Sequence, residues 1–106
     1  MSWLYLGLAG LLEIVWAVAM KQSNGFTRPT ATITMLVAMA GSFGLLALAM
    51  RTLPLGTAYT VWTGIGAIGA FAVGALWLGE ALTPLRCFAA LLIVAGLVLM
   101  KLSAAA

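Results

Sequence analysis

The chain has 106 residues, of which 65% are hydrophobic and only 7% are charged, whereas a soluble globular domain carries about 25% charged residues. It has five basic and two acidic residues, no histidine and one cysteine, which excludes an internal disulfide, a Ser-His-Asp or Cys-His catalytic site and a His/Cys metal site within one chain. The bases are scattered singly between apolar segments, so we expect no nucleic-acid interface. The missing catalytic and metal-binding residue types predict no enzyme activity and no cofactor. The apolar composition predicts a location in the membrane.

Four apolar segments of spanning length follow one another along the chain. We predict helices over residues 3–20, 29–50, 57–78 and 84–101, close to the roughly 17–25 residues that a transmembrane helix needs. Short segments that contain polar residues, glycine and proline separate them, as is typical of turns between helices. The sequence therefore predicts an all-α integral membrane protein, with residues 1–106 forming one domain of four transmembrane helices.

The first span carries one carboxylate, Glu13, in an otherwise apolar run. At a rise of about 1.5 Å per residue, Glu13 lies near the middle of a hydrocarbon core about 30 Å thick. An ionisable side chain at that depth indicates an ion or proton site; the alternative is a structural carboxylate that is neutral or paired with a base. Gly10 and Trp16 lie three residues to either side and share its helix face, where the glycine leaves room and the tryptophan offers an indole N–H.

The second and third spans offer further groups that could share a cavity with Glu13. Ser42 lies near mid-depth in the second span, and Tyr59 and Trp62 lie on one face of the third. Buried Tyr and Trp side chains need hydrogen-bond partners, and a central carboxylate needs donors. The competing interpretation places Tyr59 in an interfacial aromatic belt and has Ser42 bond back to its own helix.

The third span is rich in glycine. Gly64, Gly66 and Gly69 form a G-x-G-x-x-G pattern, but no strand precedes it and the pattern lies inside an apolar span, so it is not a dinucleotide-binding fingerprint. These glycines weaken the helix, and we predict a bend there that serves as a hinge. Gly66, Ala70 and Gly74 also form a small-xxx-small stripe, which favours close helix packing.

The charged residues of the loops give almost no preferred orientation in the membrane. Two bases fall on one side and three on the other: Arg51 and Lys101 against Lys21, Arg28 and Arg86. Because the positive-inside bias is so small, the chain could insert both ways and pair antiparallel, which would bring two copies of Glu13 to similar depth. The alternative is that another feature sets the orientation. Four short helices enclose little volume, so a second chain is expected to close the cavity.

Several of these segments resemble the small multidrug resistance family. They are the four-span layout, the lone Glu13, the loop over residues 21–28 and the segment over residues 53–66, which together cover nearly the whole chain. Gly10, Trp16 and the loop over residues 80–86 are similar to the guanidinium-exporter subtype of that family.

The resemblance implies an antiparallel, dual-topology homodimer in a bacterial inner membrane, which exchanges guanidinium or guanidinyl cations for protons by alternating access. Substrate and protons would compete for the Glu13 carboxylates of both subunits. The residues implied to support this site are Gly10, Trp16, Ser42, Tyr59 and Trp62. The residues implied to form the main dimer contact are Leu92, Ile93, Gly96 and Leu97.

Two other functions are compatible with these features. One is a broad multidrug antiporter for hydrophobic or quaternary ammonium cations, which would need an aromatic, adaptable pocket. The other is a membrane subunit that transports nothing and whose Glu13 pairs with a helix of another protein. Reconstitution of the purified chain alone would separate them, because an interaction subunit would move no substrate.

Overall fold

A computed structural model of the chain describes residues 1–104 and places four α-helices in them. They are α1 (Ser2–Gln22), α2 (Pro29–Ala49), α3 (Leu55–Trp77) and α4 (Pro84–Ala104). Each is long and apolar enough to cross a membrane. The prediction of an all-α chain with four helices capable of spanning a membrane is confirmed, and the helix ends lie within three residues of the predicted ones.

Proline begins two of the helices. Pro29 and Pro84 stand at the first positions of α2 and α4, where the missing N–H is not needed for the helical hydrogen bonds. Pro54 immediately precedes α3 and has extended backbone. Three breaks in the apolar sequence therefore become helix starts, as proline chemistry dictates.

The turn between α1 and α2 is held by Ser23, whose side chain is fully buried. Its hydroxyl donates to the carbonyl of Met20 at 2.7 Å and accepts from the backbone N–H of Phe26 at 3.1 Å. Asn24, Gly25 and Phe26 all have positive φ angles of 51° to 69°, which glycine tolerates and other residues adopt at a cost. The buried serine thus fixes a tight left-handed turn that returns the chain into the membrane.

Helix α1 lies at the centre of the packing. Its backbone lies close to those of α2 and α3, whereas α2 and α3 meet each other mainly through side chains and α4 packs on α3. The core cluster joins the first three helices and consists of Leu6, Ala9, Leu46, Ala49, Ala58, Val61 and Trp62.

Helix α4 contributes no buried residue over Pro84–Ser103. The Cα atoms extend 45 × 35 × 16 Å, so one chain is a thin slab and does not form a closed four-helix bundle. One broad apolar side of the molecule, including most of α4, is therefore left uncovered by the chain itself.

Candidate functional site

Glu13 lies on α1 with its carboxyl group directed against Gly66 of α3. The Oε1 atom of Glu13 is buried and has no hydrogen-bond partner within residues 1–104, and the same is true of Nε1 of Trp16. A buried polar atom without a partner costs about 1–3 kcal/mol. Oε1 of Glu13 is therefore left as an acceptor for a proton or a polar cation, and three residues further along α1 the indole N–H of Trp16 is left as a donor that needs an acceptor.

Basic side chains of the chain do not neutralise Glu13. In the part of the chain that the structure describes, the ion pair found within 4 Å joins Arg86 and Glu80 at 3.9 Å, at the α3–α4 turn. Lys101 lies elsewhere, with Nζ 5.5 Å from the centroid of the Trp3 ring. The alternative of a carboxylate paired with a base of its own chain is thus not what the structure contains.

Ser42 ties the three core helices together. Its side chain is fully buried; the hydroxyl donates to the carbonyl of Ala9 on α1 at 2.6 Å and accepts from Nε1 of Trp62 on α3 at 3.0 Å. The interpretation that Ser42 bonds back to its own helix is therefore wrong. Because the indole N–H of Trp62 is bonded to Ser42, Trp62 has no donor left for Glu13 and contributes only its aromatic ring.

A row of aromatic rings runs from Trp16 to Tyr59. Neighbouring centroids are 6.3 Å apart for Trp16 and Phe43, 5.8 Å for Phe43 and Trp62, and 5.6 Å for Trp62 and Tyr59. Tyr59 is 52% exposed at one end of the row. The row brings four aromatic side chains from three helices together, and it begins at Trp16, three residues from Glu13 on α1.

Sequence reasoning missed Phe43 in that row. A phenylalanine in an apolar span is equally compatible with contact to lipid, and the only signal was its position next to Ser42. Its role depends on how α2 is rotated against α1 and α3, which an apolar span does not encode.

The sequence predicted that Gly10 leaves room beside the carboxylate, and this prediction is wrong. A Cβ at Gly10 would lie 2.6 Å from the side chain of Ile65, so Ile65 already fills that volume. Gly10 instead permits close approach of α1 and α3.

The three glycines expected to form a hinge are also close-packed positions. All three lie in α3. A Cβ at Gly64 would overlap the side chain of Leu97. A Cβ at Gly66 would overlap the carboxyl group of Glu13, and one at Gly69 would overlap the side chain of Ile14. Helix α3 is continuous through residues 64–69. The hinge therefore stays a prediction, and these glycines have a packing role in this conformation.

The four expected dimer-contact residues of α4 divide into two groups. Leu92, Ile93 and Gly96 are exposed, and no atom lies within 4 Å of a Cβ built at Gly96. Leu97 instead turns toward α3 and packs on Gly64. A groove of about 750 Å³ between α3 and α4 is lined by Tyr59 and Gly96, among others, but not by Glu13.

Comparison with known proteins adds a family and named relatives. A family model described as Small Multidrug Resistance protein matches residues 1–93. Proteins named guanidinium exporter are similar over nearly their whole length. One from Citrobacter freundii is 55% identical over 103 residues, covering 97% of this chain and 98% of the relative. One from Salmonella typhi is 55% identical over 104 residues, with 98% and 99% covered. One from Escherichia coli K12 is 52% identical over 103 residues, with 97% and 98% covered.

Proposed function

The chain belongs to the small multidrug resistance family, and from that premise we propose that it exports guanidinium and related guanidinyl cations in exchange for protons. It is a multi-pass membrane transport protein and not an enzyme. The observation that carries the proposal is Glu13, whose Oε1 is buried without a partner in a chain 55% identical to proteins named guanidinium exporter. We place the protein in the bacterial inner membrane.

The chemistry of guanidinium fits the groups around Glu13. Guanidinium is a planar, permanent cation whose N–H groups bind a carboxylate in a fork, and its face stacks on aromatic rings. Glu13 supplies the carboxylate, and the row from Trp16 to Tyr59 supplies aromatic surface. The cation and the carboxylate neutralise each other where neither charge is hydrated.

Protons bind the same carboxylate. A lone negative charge is unfavourable in an apolar environment, so Glu13 is stable either protonated or paired with a cation. If only loaded forms of the protein change their access from one side of the membrane to the other, entry of protons drives exit of the cation. The exchange needs no other energy source.

The site needs a second copy of the chain. The Cα atoms of one chain form a layer only 16 Å thick. Glu13 is partly exposed, and a second protein surface has to shield its open side from the apolar lipid chains. We propose an antiparallel homodimer that faces two Glu13 carboxylates into one cavity, with the exposed residues Leu92, Ile93 and Gly96 of α4 in the contact. We propose that the glycines of α3 form the hinge at which this helix bends between the two access states.

The direct test is guanidinium transport by the purified chain alone in proteoliposomes with an imposed proton gradient. We expect gradient-driven guanidinium accumulation that Glu13→Gln abolishes, because a neutral amide can neither release a proton nor pair with the cation. The matched control is Glu80→Gln, which removes the other acidic side chain and its half-exposed ion pair with Arg86 and should transport normally. Transport by Glu13→Gln at the normal rate, or none by the unmodified protein, would contradict the proposal.

A further inference from the structure

The seam between α1 and α3 is built from glycines that receive side chains of the opposite helix. Ile65 of α3 fills the space beside Gly10 of α1, and Ile14 of α1 fills the space beside Gly69 of α3. Between these two apolar contacts, the side chain of Glu13 fills the space beside Gly66. Of these three glycine contacts, the one at Gly66 is polar and the other two are apolar.

The fit of Glu13 against Gly66 leaves no room for a side chain. A Cβ at residue 66 would overlap Oε1 and the carboxyl carbon of Glu13 and would lie 2.8 Å from its Cγ, closer than non-bonded carbon atoms approach. The oxygen that faces Gly66 is the buried one without a hydrogen-bond partner. Gly66 thus fixes how far the carboxyl group reaches toward α3.

We infer that Gly66 is a positioning residue for Glu13: the absence of a side chain at 66 seats a carboxyl group of glutamate length against the α3 backbone, in the position from which it exchanges cation and proton. This inference rests on the proposed function for its role in transport, but its geometry holds for any substrate. The inference gives Gly66 a different role from Gly64, because the close neighbour of Gly64 is the apolar Leu97.

The consequence of adding a methyl group follows from what it would meet. The atoms in the way belong mostly to the end of a flexible side chain and not to backbone, so Gly66→Ala is relieved when the Glu13 carboxyl rotates away. The helices still pack, but the carboxyl group is displaced, and small displacements of a reacting group reduce rates strongly. Aspartate at position 13 is one methylene shorter; its carboxyl carbon takes the place of Cγ of Glu13, 2.8 Å from the added Cβ, so the overlap is smaller and a smaller rotation of the side chain relieves it.

The transport test is a double-mutant cycle of Gly66→Ala and Glu13→Asp in proteoliposomes. We expect Gly66→Ala to lower the initial rate of guanidinium transport by about tenfold or more with Glu13, but by a clearly smaller factor with Asp at position 13, because less of the carboxyl group has to be displaced. An equal loss in both backgrounds would overturn the inference, because a hinge glycine acts whatever the length of residue 13. Gly56→Ala, on the same helix with no atom within 4 Å of its added Cβ, is the neutral control. Gly64→Ala should lose the same factor in both backgrounds.

A second measurement does not depend on the substrate and decides the matter if the Asp variant, or the protein itself, moves no guanidinium. The reagent is dicyclohexylcarbodiimide, an apolar reagent for carboxyl groups, and modification is followed by intact mass in a Glu80→Gln background. We expect Gly66→Ala to expose the carboxyl group of Glu13 and raise its modification rate several-fold, whereas Gly56→Ala leaves the rate unchanged. An unchanged rate in Gly66→Ala would overturn the inference without bearing on guanidinium export.

Discussion

At Ser42 a single hydroxyl serves two helices besides its own. It donates to the carbonyl of Ala9 and accepts from Nε1 of Trp62, all without exposure to the surroundings. The ring of Trp62 in turn lies between those of Phe43 and Tyr59, tilted against both. The hydroxyl therefore sets the rotation of an aromatic ring in the row that begins at Trp16.

We predict that Ser42→Ala destabilises the protein by about 1–3 kcal/mol, because it leaves the buried N–H of Trp62 without an acceptor. The measurement is denaturant unfolding of the purified protein in detergent. Thr34→Ala is the matched control, since the hydroxyl of Thr34 is exposed and bonds to the carbonyl of Thr30 in its own helix; its effect should stay within about 0.5 kcal/mol. The losses from Ser42→Ala and Trp62→Phe should be less than additive. Fully additive losses would show that the two side chains do not act together.

At this scale the sequence located the rare polar groups better than their neighbours. Glu13, Trp16 and Ser42 could be recognised because ionisable and hydrogen-bonding side chains are few in apolar spans and need a reason to be there. Phe43 and the place of Gly66 against Glu13 could not, because both depend on the rotation and register of neighbouring helices. That register is fixed by the fit of side chains into glycine gaps, which no periodicity in the sequence reports.

At the scale of the helices, length and hydropathy alone sufficed to predict four spans, because a membrane-spanning helix needs a long uninterrupted apolar run. The packing of the helices was not predictable in the same way. All faces of these helices are apolar, so no hydrophobic stripe marks the inner side as it would in a soluble bundle. The structure supplies that information: α1 is central, and α4 stands outside on α3.

We predict that Gly96→Leu weakens the dimer and leaves the subunit folded. Gly96 is exposed on α4 and lines the open groove between α3 and α4, and a Cβ there meets no atom of its own chain within 4 Å, so a larger side chain fills space that the chain leaves open to a partner. The measurement is the monomer–dimer equilibrium in detergent together with helix content by circular dichroism. Gly44→Leu on α2 is the matched control, because Gly44 is equally exposed and equally free of neighbours. Equal dimerisation of the two variants would contradict a dimer contact at α4.

At the scale of the whole molecule, the thin slab and the balanced loop charges bear on the same proposal. Lipid covers the apolar side of the slab but does not suit the partly exposed carboxyl group of Glu13, which is why we propose a partner; two bases against three give the chain little reason to prefer one orientation. An antiparallel homodimer would account for both features with two copies of the same chain. Neither feature by itself specifies which surfaces meet.

We predict that removing the loop bases from one side or the other yields two variants of opposite orientation, each nearly inactive alone and active when the two are expressed together. The variant Arg51→Gln/Lys101→Gln keeps all its loop bases on one side of the membrane. The variant Lys21→Gln/Arg28→Gln/Arg86→Gln keeps them on the other. Each should insert mainly one way, as a C-terminal alkaline phosphatase or fluorescent-protein fusion reports. Guanidinium efflux from cells should be low for each variant alone and restored when both are expressed. Full efflux by one variant that is shown to insert in a single orientation would contradict the antiparallel dimer.

The most direct measurement of the central claim is the transport current of proteoliposomes that hold only this protein, challenged first with guanidinium and then with tetraethylammonium. We predict currents for guanidinium that depend on pH and vanish in Glu13→Gln, with little or no current for the bulky quaternary ion. Comparable currents for both cations would contradict a selective guanidinium exporter and indicate a broad multidrug antiporter. Because a one-for-one exchange of guanidinium and protons carries no net charge, the absence of current is checked by uptake of labelled guanidinium driven by a proton gradient. The absence of both current and uptake for either cation would contradict transport by this chain and indicate a partner subunit.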